Sequence, residues 1–314
     1  MENILLVWAL LLFVAVVAGK VAYRFGAPAL LLFLGVGMFF GFEFINFESF
    51  EFTQFIGMLA LCIILFSGGM DTKFSEIKPI LAPGIVLATV GVALTALLCG
   101  TFIYFFSGWV GLALSFPVAL LLASTMASTD SASVFSILRT KKQGLMQNLR
   151  PMLELESGSN DPMAYMLTIA LIQVITSGSD LHIGVIGQNL LIQFFFGGVI
   201  GFAMGKFAIW LINKIGLSNS SLYPILLLSL VFITFTVTDL LKGNGYLAVY
   251  ITGVVVGNAR LAYRKEINTF MNGLTWLFQI VMFLSLGLLV NPHEMLEVAP
   301  VALLIGLFMI VVAR

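Results

Sequence analysis

The amino-acid sequence consists largely of long apolar runs separated by short polar stretches. Within the runs, apolar and polar residues do not alternate as they would in membrane β-strands. Most runs approach the length of about 20 residues that a helix needs to cross a bilayer. Eleven apolar segments can be marked: 3–21, 27–44, 53–70, 80–106, 110–138, 150–177, 184–213, 221–240, 245–262, 267–290 and 297–314. The pattern predicts an all-α polytopic membrane protein.

Composition agrees with this class and argues against others. Hydrophobic residues make up 60% of the chain and charged residues 10%, with a mean hydropathy of +1.09, whereas soluble domains have about 25% charged residues. The formal net charge is zero, so no nucleic-acid partner is expected. His182 and His293 are far apart in predicted loops, and the sequence has no HExxH motif or Cys/His cluster. We therefore expect neither a zinc enzyme nor a cofactor.

The basic residues predict the orientation of the chain. If the N-terminus lies outside, 13 of the 15 Lys and Arg residues fall at inner helix ends and inner loops. Inner loops of membrane proteins carry such an excess of positive charge. The first apolar run has no basic residue before it, so it is read as a helix and not as a signal peptide. We expect an integral protein of the lipid bilayer, in a bacterial inner (cell) membrane, with its N-terminus outside.

The most unusual stretch is Leu155-Glu156-Ser157-Gly158-Ser159-Asn160-Asp161-Pro162, inside the sixth segment. A helix that begins at Arg150 places Asp161 roughly 16 Å along its axis, near the middle of an apolar core of about 30 Å. A carboxylate at that depth is costly and indicates a functional site. Ser157 lies four positions earlier, on the same helix face.

The residue types in this stretch suit a bare monovalent cation. Carboxylate and hydroxyl oxygens are hard ligands that can replace a hydration shell. Because desolvation disfavours a charged carboxylate, Asp161 could hold either a proton or a cation, and competition between the two would give exchange. The alternative is a set of polar side chains that only hold helices together.

The fifth segment has a second polar stretch, Ser124-Thr125-Met126-Ala127-Ser128-Thr129-Asp130-Ser131-Ala132-Ser133. Small and hydroxylated residues weaken a regular helix and allow close helix contacts. We predict an interrupted helix with its break near Thr129 and Asp130, as in transporters that bind ions with freed carbonyl groups. The alternative is a helix-packing face with a structural Asp130 at the N-cap of a half-helix.

Arg314 is a basic residue placed within the last apolar run. An unpaired Arg in hydrocarbon costs several kcal/mol, so we predict a structural ion pair with Glu156. The alternative is an Arg that extends from a helix end to the membrane surface. The apolar run is still in progress at Arg314, and this pattern leads us to expect the front part of a longer protein.

Together, Thr129-Asp130, the stretch from Glu156 to Pro162, and Arg314 resemble the monovalent cation/proton antiporter family, in its NhaP-type electroneutral branch. The likeness is strongest to the potassium/proton subgroup. It implies that Asp161 is the essential cation- and proton-binding carboxylate. It also implies that Asn160, Ser157, Thr129 and Asp130 contribute to the site, and that Glu156 and Arg314 form a buried pair. Many relatives have an acid where this chain has Ser67.

The resemblance further implies an inverted-repeat fold of about 13 helices with unwound crossing helices, of which this chain holds about 11. Residues 1–177 would be the first repeat, 178–216 a linking helix and 217–314 an incomplete second repeat. A homodimer is expected. The second unwound helix would lie at or beyond Arg314.

These patterns predict a secondary antiporter, not an enzyme, that exchanges K⁺ or Na⁺ for H⁺ by alternating access. Exchange would be electroneutral, because Asn160 adds no second titrating group beside Asp161. The alternative is a cation channel or sensor that uses the same acidic site.

Overall fold

The structure is a computed structural model that describes residues 2–25, 29–43, 49–129, 149–177 and 183–314. Within these ranges the regular elements are all helical, as predicted. The α-helices are α1 (Glu2–Phe25), α2 (Ala29–Glu43), α3 (Phe50–Asp71), α4 (Phe74–Ile77), α5 (Leu81–Val86), α6 (Val92–Val110), α7 (Phe116–Met126), α8 (Leu149–Ser177), α9 (Ile183–Lys214), α10 (Leu222–Leu240), α11 (Gly245–Gly257), α12 (Arg264–Leu289) and α13 (Pro292–Phe308).

Helix α4 leads through a 3₁₀ turn, α5 and a π-helical turn into α6, so the helical path runs from Phe74 to Val110. A second π-helical turn, Met309–Ala313, extends α13. Six helical stretches among the described residues are long and apolar enough to cross a membrane: Phe50–Asp71, Phe74–Val110, Gly187–Lys214, Leu222–Leu240, Arg264–Leu289 and Pro292–Ala313.

Each predicted segment contains a helix within the described ranges. The fifth segment, predicted over 110–138, differs most, because its separate helix in the described part covers only Phe116–Met126. The seventh segment is one helix of 32 residues. The ninth ends at Gly257, earlier than the predicted 262, because Asn258 takes the C-cap position. Helix α11 therefore has only 13 residues, about 20 Å in length.

The chain folds as two compact units, and the first contains α1, α2, α3 up to Ile64, α12 from Lys265 and α13 up to Pro300. Its core consists of buried aliphatic and aromatic side chains of α1, α2 and α12: Leu11, Ala15, Leu30, Phe33, Ile280, Leu284 and Leu288. Helices α2 and α12 approach closely, since a Cβ added to Gly41 would lie 2.8 Å from the carbonyl oxygen of Leu288.

The second unit contains the remaining described residues, from Leu65 through Thr129, from Leu149 to Arg264, and from Val301 to Arg314. Within it, α6 packs on α7 and α8 through a buried cluster: Val92, Ala96, Ala127, Met163, Ala164 and Met166. A neighbouring cluster joins α6 and α7 to the end of α13, where the rings of Phe102 and Phe308 stack at 4.1 Å.

Helix α11 lies between other helices of this unit, and ten of its residues are buried. We call its glycine-mediated contacts the α11 packing region: Gly197, Gly201 and Gly205 of α9, Gly69 of α3, and Gly253 and Gly257 of α11. At each of these positions an added Cβ would press on backbone or side-chain atoms of the neighbouring helix. Close backbone approach of this kind needs glycine, and it fixes the helices against one another.

Candidate functional site

Helix α7 ends close to the predicted break. Its last residue is Met126, Ala127 is the C-cap, and Thr129 is not helical. The described chain therefore leaves the helix slightly before the predicted position. Asp130, which we predicted to contribute to the site, lies outside the described residues. Near the end of α7, Ser124 bonds the hydroxyl of Thr168 on α8 at 2.9 Å and holds the two helices together.

Thr129, Ser157 and Asn160 meet directly, and we call these three residues the Thr129 cluster. The Ser157 hydroxyl donates to the carbonyl oxygen of Thr129 at 2.5 Å, and the two hydroxyl oxygens are 3.2 Å apart. The Asn160 Nδ2 donates to the Thr129 hydroxyl oxygen at 2.6 Å. The freed end of α7 is thus bonded to α8 next to Asp161, which is half-buried.

Asn160 is completely buried. Its Nδ2 also donates to Glu156 Oε1 at 3.2 Å, so the amide nitrogen faces two oxygen atoms. This arrangement fixes which way the amide points. If the amide were flipped, Oδ1 would face the Glu156 carboxylate oxygen, and two acceptors would then meet without a donor. Within the described part of the chain, Asn160 Oδ1 accepts no hydrogen bond. A buried acceptor without a donor is costly, and a bound cation would satisfy it.

Arg314 does not form the predicted ion pair with Glu156. Its Nη2 donates to the carbonyl oxygen of Ala127 at 2.5 Å, while Glu156 accepts from Asn160. The ion pair found among the described residues is the exposed one between Lys73 and Glu76. The reason is that the end of α7 leaves carbonyl groups without helical donors, and a guanidinium satisfies such groups well. Arg314 therefore caps α7 just before the Thr129 cluster.

The other side of α8 contacts α11. The Tyr250 ring lies against Gly158, where an added Cβ would be 2.7 Å from Tyr250 Cε2. Farther along α8, the rings of Tyr165 and Tyr246 meet edge to face at 4.7 Å. Sequence reasoning missed these contacts, since an aromatic residue in an apolar run carries no sign of its partner. Gly158 was the only residue in the sequence that indicated a close contact at this place.

The ligand atoms gathered here are oxygens from hydroxyl, amide and backbone groups beside one carboxylate. Among the described residues, no group of three or more His, Cys, Asp or Glu side chains could hold a metal ion. Such a set suits a weakly bound, exchangeable alkali cation rather than a transition metal. Ser67 is buried in α3.

An all-helical membrane protein in which the end of one helix meets an acidic, hydroxyl-rich stretch of another has the features of a secondary ion transporter. The family described as "Sodium/hydrogen exchanger, transmembrane" matches residues 9–314 of this chain. The chain belongs to this family and is an integral membrane protein, so the resemblance found in the sequence is confirmed.

Relatives agree with this assignment. The chain is 39% identical, over 99% of its length, to a protein named K(+)/H(+) antiporter NhaP from Alkalimonas amylolytica, of which it covers 53%. It is 35% identical, over 100% of its length, to one named K(+)/H(+) antiporter NhaP2 from Shewanella sp. (strain ANA-3), of which it covers 54%. The chain thus spans about half the length of these curated relatives.

The fold also matches a solved structure. The sodium proton antiporter MjNhaP1 from Methanocaldococcus jannaschii superposes with a TM-score of 0.83 at 23% identity, covering 100% of this chain and 77% of that one. This likeness shows the fold alone, and it confirms the predicted all-α architecture.

Proposed function

We propose that the complete gene product is a secondary active antiporter that exchanges K⁺ or Na⁺ for H⁺ across the membrane by alternating access. It acts as a carrier and not as an enzyme, and it contributes to pH and cation homeostasis. Relatives named as potassium/proton and sodium/proton antiporters support this function. The observation that carries the proposal is the Thr129 cluster, which brings exchangeable oxygen ligands to the side of Asp161.

In this mechanism Asp161 alternates between a protonated and a cation-bound form. The Thr129 carbonyl, the Ser157 hydroxyl and Asn160 Oδ1 supply further oxygens. The bonds that these groups make among themselves are exchanged for bonds to the cation, which limits the cost of removing its hydration shell. We assign Asp130 to the same site as a further acid.

We propose that exchange is electroneutral. Asn160 is an amide and takes up no proton, so one carboxylate, Asp161, is neutralised either by a proton or by a cation. In this proposal Glu156 does not bind the exchanged proton or cation, because it already accepts a hydrogen bond from the Asn160 amide. Arg314 lies on the α7 carbonyl end, and we propose that its charge balances Glu156 through the surrounding structure without a direct bridge.

We also propose the membrane arrangement that the basic residues predict, with the N-terminus outside in a bacterial inner membrane. The same proposal divides the chain into a first inverted repeat (1–177), a linking helix (178–216) and residues of a second repeat (217–314). It includes assembly as a homodimer, so that one part of each protomer can serve as a scaffold.

Replacing the carboxylate tests the proposal. We expect Asp161→Asn to abolish cation-dependent collapse of a pH gradient in membrane vesicles, because an amide can neither bind a proton nor neutralise a cation. The matched control is Asp239→Asn, which changes an exposed carboxylate at the end of α10 and should leave the rate unchanged. Retained exchange in Asp161→Asn would show that the proposed carrier role is wrong.

The same vesicles separate antiport from the alternative of a channel or sensor. An antiporter gives K⁺- or Na⁺-driven proton movement that saturates with cation concentration. A channel gives cation flux that is far faster and insensitive to the pH gradient. Titration of K⁺, Na⁺ and Li⁺ at several pH values decides which cation is carried, since all three accept oxygen ligands.

A further inference from the structure

Helix α11 contacts α8 at positions both before and after Asp161 along the chain. Before Asp161, the Tyr250 ring lies against Gly158, and after it the Tyr246 ring meets Tyr165. Both α11 rings are buried. Because 246 pairs with 165 and 250 with 158, the two helices run antiparallel. A single short helix therefore contacts α8 on each side of its acid.

Asn244, the N-cap residue of α11, contacts α8 between the two positions that meet the rings. Its Nδ2 donates to the carbonyl oxygen of Pro162 at 3.3 Å, and its Oδ1 accepts from the backbone N–H of Leu247 at 2.7 Å. Its own N–H donates to the carbonyl oxygen of Gln193 on α9 at 3.1 Å. Asn244 is 2% exposed, so one buried side chain and its backbone join three helices.

The Pro162 carbonyl belongs to the residue that directly follows Asp161. Pro162 has no N–H, so the carbonyl oxygen of Gly158, one turn earlier, lacks its helical donor, and the backbone of α8 is weakened around Asp161. The bond from Asn244 to the Pro162 carbonyl restrains this weakened turn from outside the helix.

Helix α11 is a firm support for such a restraint. Gly201 of α9 lies so close that an added Cβ would be 2.8 Å from Ala248 Cα. The Thr252 hydroxyl also donates to the carbonyl oxygen of Gly201 at 2.9 Å. Backbone-to-backbone contacts of this kind allow little movement, because no flexible side chain lies between the helices.

We propose that Asn244 is a positioning residue for ion exchange: through the Pro162 carbonyl it holds Asp161 at the distance from the Thr129 cluster that cation binding needs. The proposal rests on the function proposed above. It assigns a role in cation affinity to a residue of α11 that touches neither cation nor proton.

Asn244→Ser tests this role with little change at the helix start. Serine is also a strong N-cap residue, but its shorter side chain has a single oxygen, which cannot stand both at the Oδ1 position that caps α11 and at the Nδ2 position that reaches Pro162. With Asp161 less well held, the cation competes less well with the proton. We expect the apparent KM for the cation to rise about three- to tenfold, the effect of one lost hydrogen bond, and the pH midpoint of exchange to move about 0.5 to 1 unit to the alkaline side.

Asn258→Ser is the matched control, because Asn258 caps the other end of the same helix. Its Nδ2 donates to the carbonyl oxygen of Thr72, and its Oδ1 accepts from the N–H of Phe74, both at 2.8 Å. The substitution removes equivalent bonds about 20 Å from Asn244 along the α11 axis. We expect Asn258→Ser to lower the melting temperature in detergent without altering KM or the pH midpoint.

The outcomes separate the two proposals. An affinity and pH shift in Asn244→Ser alone supports the positioning role. An unchanged KM in Asn244→Ser, or the same shift in both variants, overturns the positioning role. The proposed function is kept in that case if the unmodified protein still exchanges cations for protons. If the unmodified protein shows no cation-dependent exchange, the proposed function fails and the positioning role with it. Should Asn244→Ser fail to fold, Asn244→Asp keeps an oxygen to cap Leu247 but removes the Nδ2 donor to Pro162, and an unchanged KM there likewise overturns the proposal.

Discussion

The two sides of α8 are built in different ways. On one side, the Thr129 cluster joins α8 to the end of α7 through hydroxyl, amide and carbonyl groups. On the other, α11 meets α8 through aromatic rings and a glycine, and the α11 packing region then fixes α11 to α9 and α3. On the first side, polar groups can exchange one hydrogen-bond partner for another. On the second side, closely packed surfaces cannot exchange their contacts.

This difference matches the requirements of an exchanger. In the proposed mechanism, a cation enters the Thr129 cluster by taking over oxygens that already accept hydrogen bonds, so that binding and release need only small shifts. In the α11 packing region every exchange of partners would open a cavity or force a clash. Substitutions in the two regions should therefore alter different measurements.

The largest effect on stability is expected from Gly201→Ala in the α11 packing region. The added Cβ would lie 2.5 Å from the carbonyl oxygen of Ala248, and because this atom is backbone it cannot yield easily. We expect a loss of about 1–3 kcal/mol, measured as a lower unfolding temperature in detergent.

Gly198→Ala is the control for this substitution. It lies one turn away on α9, and a Cβ there meets nothing within 4 Å. Because alanine favours helix over glycine by about 1 kcal/mol, the control should be neutral or slightly more stable. Equal unfolding temperatures for the two alanine variants would contradict the close packing of α9 on α11.

A smaller effect, of another kind, is expected from Ser157→Ala in the Thr129 cluster. The substitution removes the hydroxyl that contacts Thr129. We expect the apparent KM for the cation to rise about tenfold, equivalent to about 1.4 kcal/mol, with little change in unfolding temperature. Ser159→Ala, two positions along the same helix, should keep the original KM. If both serine variants bind the cation equally well, Ser157 has no part in the site.

The smallest effect is expected from Thr252→Val, which removes a hydroxyl from the α11 packing region. The Thr252 hydroxyl donates to the carbonyl oxygens of Gly201 and Ala248, and valine nearly keeps its shape. We expect a loss of about 1 kcal/mol in the free energy of unfolding and no change in KM. A raised KM in Thr252→Val would remove the distinction between the two regions.

The sequence is sufficient to predict the helices and the polar groups of α7 and α8 that meet. Apolar runs of membrane length have few alternative structures, because every backbone group must be bonded within the membrane. The polar groups on α7 and α8 were identifiable because they are costly at that depth. The meeting of Thr129 with Ser157 and Asn160 follows from the same reasoning, since buried polar groups must find partners.

The partners themselves could not be predicted with equal success. Arg314 was assigned to Glu156 from charge alone, yet it bonds the Ala127 carbonyl, because a helix end offers acceptors that no side-chain pattern records. Asn244 reads in sequence as an ordinary helix cap between two glycines. Its second bond, to Pro162, depends on how α11 packs against α8, and this information lies in three-dimensional contacts.

The shortness of α11 has a consequence for how the protein is made. A helix of 13 residues falls short of the roughly 20 that cross a bilayer alone, so α11 is a poor substrate for independent membrane insertion. Only four residues, 241–244, separate it from α10, and we expect the two helices to be inserted as one hairpin. Helix α11 can then pack only after α9 and the end of α3 are in place, because its close glycine contacts are with these two helices. We therefore expect the Asn244 contact with α8 to form late in assembly.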